Sequence, residues 1–304
     1  MIKAHLALFA VAIIYGANYV IAKSVMPEPI GASAFIVTRV LGAGLIFWFI
    51  RAFVKEKVNK KDYWRLIVCG ITGVALNQLF FFNGLQLTSP LNASIIMTSN
   101  PIIVLIVASI ILKNRITPIK ITGIIAGMAG ALGIIWLSQR GQSDITSVRG
   151  DLFILINSIS YGFYLVLVKP LMAKYRPLTV MAWVFLFGSL VVFPVGVGEF
   201  VQIDWPALTF WQIMAVVFVV LAVTCLTYIL NIYALKRLQP TVASSYIYLQ
   251  PLLAGIFSWI FAMISVHDYT GDFSWTKVAC ALLIVAGVWM VSRSKNSSPL
   301  SPKV

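Results

Sequence analysis

The chain has 304 residues, of which 60% are hydrophobic and only 11% are charged, and its mean hydropathy is +0.95. An average soluble domain is about half apolar and about a quarter charged, so this composition excludes a water-soluble globular protein. The net charge is +14, but the basic residues lie in short loops between apolar runs. They therefore indicate membrane orientation, and we expect no nucleic-acid partner.

A run of about 20 apolar residues crosses a hydrocarbon core of about 30 Å. Turn and charge clusters divide the chain into ten such runs, which predict an all-α integral membrane protein with ten transmembrane helices. These predicted spans 1 to 10 cover residues 5–24, 32–54, 64–86, 90–112, 118–138, 149–170, 178–199, 208–235, 240–265 and 274–292. The polar tail 293–304 is predicted to be disordered and cytoplasmic.

The distribution of basic residues predicts the orientation. With ten spans, 18 of the 23 Lys and Arg residues fall on the side that holds both termini, and four fall on the other side. The remaining one, Arg39, lies inside span 2. The positive-inside rule then places both termini in the cytoplasm of a multi-pass protein of the inner (plasma) membrane.

The chain contains an internal repeat. Shifts of about 150 residues align motifs of the two halves in chain order: Pro90 with Pro240, Ala93-Ser94 with Ala243-Ser244, Asn100-Pro101 with Gln250-Pro251, and Tyr15-Gly16 with Tyr161-Gly162. We therefore predict two five-helix repeats, residues 1–138 and 149–292. Because five is odd, the second repeat must enter the membrane from the opposite side. Inverted repeats are typical of secondary transporters, which bind substrate near the bilayer midplane and work by alternating access.

These motifs resemble the EamA-type, ten-helix branch of the drug/metabolite transporter superfamily. The resemblance covers about residues 5–292 and is carried by Tyr15-Gly16-Ala17-Asn18, by Arg39, by the Pro-x-x-Ala-Ser motif and the later proline of each half, and by the small residues of spans 5 and 10. It implies a transporter, and it suggests export of amino acids or similar small amphiphilic metabolites.

The chain departs from the family pattern at one place in each half. Relatives usually carry a Glu before an Arg or Pro after spans 4 and 9, whereas this chain has Lys113-Asn114-Arg115 and Val266-His267-Asp268. Any role of that acid is therefore not carried over to this chain.

Polar side chains are concentrated on spans 1, 3, 4, 6, 8 and 9. Because amide and phenol groups are costly in lipid, most of them should face inward, and we predict that they line a central substrate cavity. The predicted substrate-binding residues are Tyr15, Asn18, Tyr19, Asn77, Gln78, Asn100, Asn157, Tyr161, Tyr164, Tyr228, Asn231, Tyr246 and Gln250. The alternative for any single residue is a hydrogen bond between helices.

Five further residues are predicted to act in gating. Pro101 and Pro251 lie inside spans 4 and 9, where each proline removes a backbone hydrogen bond and predicts a kink. Lys23 and Lys169 end spans 1 and 6 at equivalent positions of the two repeats. Arg39 is a functional candidate as an intramembrane charge, which could bind a substrate carboxylate or phosphate or pair with an acid such as Glu28. Snorkelling of its side chain to the outer interface is the slightly favoured interpretation.

Several classes of chemistry lack their residues. The three cysteines and two histidines show no metal-site or catalytic spacing, and there is no GxxxxGK[ST] phosphate loop. We therefore expect neither an enzyme nor a cofactor or metal. No Asp or Glu lies deep in a span, which favours facilitated diffusion or exchange over proton coupling. A lipid flippase remains the alternative, and an intramembrane enzyme and a pore are weaker ones.

Span 5 is predicted to have a packing surface of small residues, formed by Gly123, Gly127, Gly130 and Gly133. Because this surface is expected to join the two repeats, a monomer is favoured over a dimer.

Overall fold

The structure is a computed structural model that describes residues 2–54, 56–112, 117–139, 147–235, 246–264 and 274–293. Within these residues the chain is helical and has no strand. Nine helices are long and apolar enough to cross a membrane, and a tenth apolar helix, Trp275–Met290, is shorter. In chain order the nine are Ile2–Lys23, Ala32–Ala52, Lys60–Leu87, Pro90–Ile111, Pro118–Leu137, Val148–Lys174, Pro177–Phe200, Phe210–Asn231 and Tyr246–Ile264. The prediction of an all-α membrane protein is confirmed.

We number these helices spans 1 to 10, in agreement with the predicted order. Their bounds differ from the predicted ones by a few residues, most clearly in span 6, which continues through Pro170 to Lys174. A proline in the last turn is tolerated there because only one hydrogen bond to the preceding turn is lost. Residues 240–245 of predicted span 9, the tail from 294 onward, and the departures at 113–115 and 266–268 lie outside the described residues.

The helices pair in a regular way. Span 2 packs along span 7, and span 5 packs along span 10. Span 1 packs against spans 8 and 9, and span 6 packs against spans 3 and 4. Large side chains such as Leu45, Phe49 and Leu282 are more than 60% exposed on the outer faces of the bundle. An apolar exterior of this kind is stable only when hydrocarbon is the surrounding solvent.

Spans 5 and 10 meet along a surface of small residues, which we call the glycine seam: Gly123, Gly127, Gly130 and Gly133 on span 5, and Gly287 on span 10. A Cβ atom added at Gly130 would lie 2.6 Å from the carbonyl oxygen of Cys280, and one at Gly287 would lie 2.6 Å from the backbone nitrogen of Gly127. The missing Cβ atoms allow the two backbones to come into direct contact. The predicted packing surface of span 5 is therefore used within the chain.

Spans 2 and 7 cap each other at both ends. The residue before span 2, Gly31, has no side chain to cap the helix, and a carboxylate oxygen of Glu199 accepts the N–H groups of Ser33 and Ala34 at 3.1 and 3.3 Å. At the other end of the pair, the Glu56 carboxylate accepts the N–H of Arg176, which precedes span 7, at 3.1 and 3.2 Å. Each helix thus receives its cap from the segment that ends or follows its partner.

We expect Glu199→Ala to lower the free energy of unfolding by about 1 kcal/mol, the usual cost of losing a helix cap. Thermal unfolding of the purified protein in detergent measures the change. Glu28→Ala is the matched control, because Glu28 is also an exposed glutamate, but it lies in the loop before span 2 and caps no helix in the structure. Equal melting temperatures for the two variants would contradict the capping role.

Candidate functional site

Spans 3 and 8 each contain a π-helical segment at equivalent positions of the two halves. The segments are Ile71–Leu76 in span 3 and Val219–Leu226 in span 8. A π-helical turn is rare, is wider than an α-helical turn, and leaves carbonyl groups without their usual partners, and it is frequently found at functional sites. These two segments therefore mark the region of the bundle to examine for a site.

Arg39 of span 2 lies between these two segments. Its Nε donates to the Thr224 hydroxyl oxygen at 2.8 Å, its Nη1 donates to Gln78 Oε1 at 2.8 Å, and its guanidinium lies 5.1 Å from the Phe82 ring centre. Thr224 belongs to the π-helical segment of span 8, and Gln78 follows that of span 3. The snorkelling interpretation is wrong, because hydrogen bonds to two other helices hold the side chain inside the bundle.

Span 6 satisfies carbonyl groups of the π-helical segment in span 3. Asn157 Nδ2 donates to the Asn77 carbonyl at 2.7 Å, and the Ser160 hydroxyl donates to the Thr72 carbonyl at 2.6 Å. Asn157 is 1% exposed. This amide therefore joins helices, as the alternative interpretation of the polar residues allowed. Its Oδ1 is buried and has no hydrogen-bond partner among the described residues.

Span 1 connects to the second half of the chain through its tyrosines. The Tyr19 hydroxyl donates to Gln250 Oε1 at 2.9 Å, and the Tyr15 hydroxyl reaches Thr227 Oγ1 at 3.4 Å. Asn18 lies between them in sequence and is 4% exposed, and its Oδ1 is buried without a partner among the described residues. The structure thus joins two predicted site residues, Tyr19 and Gln250, and it places Tyr15 beside Thr227 of span 8, which the sequence analysis did not select.

Spans 4 and 9 have irregular backbone next to their asparagine-proline and glutamine-proline pairs. Span 4 consists of the helices Pro90–Met97 and Asn100–Leu112, so its break lies immediately before Pro101. In span 9 a 3₁₀ turn, Tyr246–Leu249, precedes the helix Gln250–Ile264, in which Pro251 is the second residue. Each proline therefore lies in the first turn of a helix, where its missing N–H costs least.

The other predicted site residues are more widely distributed. The Tyr161 and Tyr164 rings of span 6 are 6.0 Å apart, and the Tyr164 hydroxyl lies 3.5 Å from the sulfur of Met181. The Tyr246 hydroxyl bonds to His5 Nδ1 at 2.9 Å, near the end of the bundle, and Asn231 is partly buried on span 8. Tyr161 and Tyr164 each interact electrostatically with Tyr15, and Tyr15 interacts with Arg39 in the same way.

Tyr228 of span 8 lies beside a cavity of about 180 Å³ between spans 2, 7 and 8. Its hydroxyl donates to the Pro177 carbonyl at 3.0 Å. The rest of the cavity lining is apolar: Ile46, Phe47, Ile50, Leu178, Cys225 and Ile229. Sites for whole small molecules usually measure about 300–1,000 Å³, so this cavity accommodates an apolar group and not an entire metabolite.

The two equivalent lysines have different surroundings. Lys23 is 9% exposed, and its ammonium donates to the carbonyls of Leu85 at 2.9 Å, Gln86 at 3.3 Å and Thr88 in the turn between spans 3 and 4. Lys169 is exposed. The span 3–4 turn is therefore tied to the end of span 1.

Asp151 was expected at the edge of span 6, and it does lie in the first turn of that helix, but it is completely buried. Its carboxylate accepts the Thr88 hydroxyl at 2.5 Å and the Asn92 amide at 3.3 Å. Close packing explains the burial, because a Cβ at the neighbouring Gly150 would lie 2.8 Å from the backbone of Leu87. No sequence motif indicated that this acid would be enclosed.

The described residues contain no group of three His, Cys, Asp or Glu side chains placed to hold a metal ion. The polar groups that meet between spans 1, 2, 3, 8 and 9 are amides, hydroxyls and one guanidinium. Such groups bind by hydrogen bonds and charge. The chemistry that this arrangement supports is recognition of a polar small molecule inside an apolar bundle.

Comparison with known proteins agrees with this description. The EamA-like transporter family matches residues 2–136 and again residues 148–293. An uncharacterized transporter of Archaeoglobus fulgidus is 23% identical over 97% of this chain and 99% of its own length. The uncharacterized transporter YyaM of Bacillus subtilis is 26% identical over 95% and 93%, and a WAT1-related protein of Arabidopsis thaliana is 21% identical over 97% and 86%.

A solved crystal structure shares the fold with a TM-score of 0.57 at 18% identity, and the match covers 95% of this chain and 96% of the other. The family expected from the motifs is confirmed by the two profile matches, which together cover most of the chain. The chain belongs to the EamA-like transporter family and is a membrane transporter.

Proposed function

We propose that this protein is a secondary transporter that moves small metabolites, amino acids or similar amphiphilic compounds, across the inner membrane by alternating access. The observation that carries the proposal is the meeting of polar side chains from both halves of the chain inside the bundle. Arg39 of the first half donates to Gln78 of the same half and to Thr224 of the second half, and Tyr19 of the first half donates to Gln250 of the second. Amides, hydroxyls and aromatic faces at this depth suit a polar solute with an apolar part.

We further propose that the two halves are inverted repeats with both termini in the cytoplasm. The family profile matches twice, once in each half. The helix pairing supports the same interpretation. Span 2 packs against its own counterpart in the second half, span 7, and span 5 packs against its counterpart, span 10. Span 1 packs against spans 8 and 9, and its counterpart, span 6, packs against spans 3 and 4, which are the counterparts of spans 8 and 9. The π-helical segments and the reciprocal caps of spans 2 and 7 follow the same rule.

Alternating access would then exchange the environments of equivalent residues. In this structure Lys23 ties the outer turn between spans 3 and 4 to span 1, while Lys169 at the cytoplasmic face is exposed. The asymmetry supports a conformation that is closed at the outer face. The breaks before Pro101 and at Pro251 supply points at which spans 4 and 9 can bend.

Transport is proposed to be facilitated diffusion or exchange in the direction of export, by a monomer. Among the described residues, the buried acid Asp151 lies in the first turn of span 6, and its carboxylate is bonded to Thr88 and Asn92. The glycine seam is occupied by span 10 of the same chain, which supports a monomer.

Counterflow in proteoliposomes tests the proposal, with a panel of radiolabelled amino acids, nucleosides and sugars. We expect Asn18→Ala, Tyr161→Ala, Asn100→Ala and Gln250→Ala to reduce the flux of the accepted substrate by about tenfold or more, because each loses a hydrogen bond or aromatic face inside the bundle. Gln202→Ala, an exposed amide outside the spans, is the control. Wild-type flux in all four variants would refute the site.

A further inference from the structure

The charge of Arg39 is not balanced by an acid among the residues that the structure describes. Its two hydrogen bonds go to a neutral hydroxyl, that of Thr224, and to a neutral amide, that of Gln78. By contrast, Lys174 forms an ion pair with Asp62. Arg39 is the eighth residue of span 2, about 10 Å along the helix from its start at 1.5 Å per residue. A cation at this depth is costly unless a partner compensates its charge.

The geometry leaves part of the guanidinium available. A guanidinium has five N–H donors, and the bonds to Thr224 and Gln78 use one on Nε and one on Nη1. Three donors remain, two of them on Nη2. The Thr224 hydroxyl in turn donates to the Val219 carbonyl at 2.9 Å, so its oxygen is oriented to accept from Arg39. The side chain is partly exposed and held in position by two other helices.

The two donors of Nη2 and the remaining donor of Nη1 can bind the oxygens of a carboxylate, a group that arginine often holds by two parallel hydrogen bonds. We propose that Arg39 binds the carboxylate of the transported substrate, and that the substrate carries a net charge of −1. This inference rests on the proposed transport function and narrows its substrate class. A single guanidinium balances one negative charge, so a monoanion is favoured over a dianionic phosphate ester.

A net charge on the substrate supplies a driving force. An uncoupled carrier that moves a monoanion also moves charge, and a membrane potential that is negative inside drives that anion outward. The neutral partners of Arg39 are consistent with uncoupled transport of an anion. The positive charge of Arg39 stays in the protein, so the charge that crosses the membrane is that of the substrate. Export would then need neither a proton nor a sodium ion.

The experiment uses the full chain in proteoliposomes with matched acid and amide substrates. Glutamate and aspartate carry a net charge of −1, whereas glutamine and asparagine have nearly the same shape and no net charge. Gluconate serves as a second monoanion and glycerol phosphate as a dianion. A tenfold potassium gradient with valinomycin sets a potential of about 59 mV, and a monovalent anion that equilibrates by uniport should redistribute about tenfold. The amides should not respond to the potential.

Three variants separate charge recognition from a structural role. Arg39→Gln should reduce the preference for an acid over its amide by tenfold or more, and Arg39→Lys should retain part of it, because the charge remains but the two-point geometry is lost. Arg51→Gln is the matched control. Arg51 is an arginine near the other end of span 2, where it lies over the rings of Trp48 and Trp183, and its loss should not change the preference.

Binding provides a readout that does not depend on flux. Each monoanion at tens of millimolar should raise the melting temperature of the wild-type protein in detergent more than that of Arg39→Gln. The inference is overturned if no monoanion does so, or if acids and amides cross equally and ignore the potential. If acids and amides cross equally and ignore the potential, the proposed transport function is retained and only the role of Arg39 is refuted. Absence of counterflow for every compound, with stabilisation by the monoanions retained, would instead refute the proposed transport function.

Discussion

Gly287→Ala should lower the free energy of unfolding by about 3 kcal/mol, the upper part of the range for inserting a methyl group into a tightly packed interior. The added Cβ would lie 2.6 Å from the backbone nitrogen and 2.9 Å from the Cα of Gly127. Both are backbone atoms of span 5, so no side-chain rotation relieves the overlap, and spans 5 and 10 must separate. Thermal unfolding in detergent should show a fall on the order of 10 °C for a chain of this size.

Gly255→Ala is the matched control for this substitution. Gly255 also lies inside a helix, span 9, but an added Cβ would meet nothing within 4 Å. Alanine is a better helix former than glycine by about 1 kcal/mol, so this variant should be as stable as the wild type or slightly more stable. If Gly287→Ala melts together with Gly255→Ala, the close packing of the glycine seam is refuted.

Lys23→Met should also be strongly destabilising, by about 3 kcal/mol. The substitution keeps the aliphatic volume but removes the ammonium group that bonds to the carbonyls of Leu85, Gln86 and Thr88. Buried carbonyls left without a donor cost about 1–3 kcal/mol each, and partial access of water to the turn reduces the total. The unfolding midpoint in detergent measures the effect, and counterflow of the accepted substrate should fall with it.

Lys169→Met provides the comparison that the repeat offers. Lys169 of span 6 occupies the position in the second half that is equivalent to Lys23, but its side chain is exposed. Its replacement should change stability by less than about 0.5 kcal/mol, as is usual for surface positions. Equal losses in the two variants would mean that the hydrogen bonds of Lys23 to the span 3–4 turn contribute little.

The sequence was sufficient for the helices because a membrane span requires only a local property, a run of apolar residues of the right length. The close approach of spans 5 and 10 was also predictable in part, since the spacing of Gly123, Gly127 and Gly130 is visible in one helix. The partner helix was not, because it lies about 150 residues away in the chain.

The polar site was harder to predict. Arg39 donates to Gln78, which is 39 positions away in the chain, and to Thr224, which is 185 positions away. Nothing in the sequence distinguishes Gln78 and Thr224 from the other polar residues of the spans. The π-helical segments had no recognisable signal either. Each wide turn shifts the helix after it, so a periodicity of 3.6 residues assigns the wrong face to the following side chains.

Asn157 illustrates the same difficulty. Its position in an apolar helix correctly indicated an inward-facing amide, and the structure shows that it donates to the Asn77 carbonyl at the end of the span 3 π-helical segment. Only knowledge of that irregular turn would have identified the acceptor. The burial of Asp151 was not predictable for a similar reason, because it depends on contacts of span 6 with the turn after span 3.

The reciprocal caps of Glu56 and Glu199 have a mechanical consequence. Two antiparallel rods that are pinned to each other at both ends resist sliding along their length, since a displacement of a few ångströms in either direction would break one set of hydrogen bonds. We therefore expect spans 2 and 7 to move as one rigid pair of helices that crosses the membrane. The other helices then have to move by tilting relative to this pair. Arg39 lies in span 2, so it keeps its depth in the membrane during that movement.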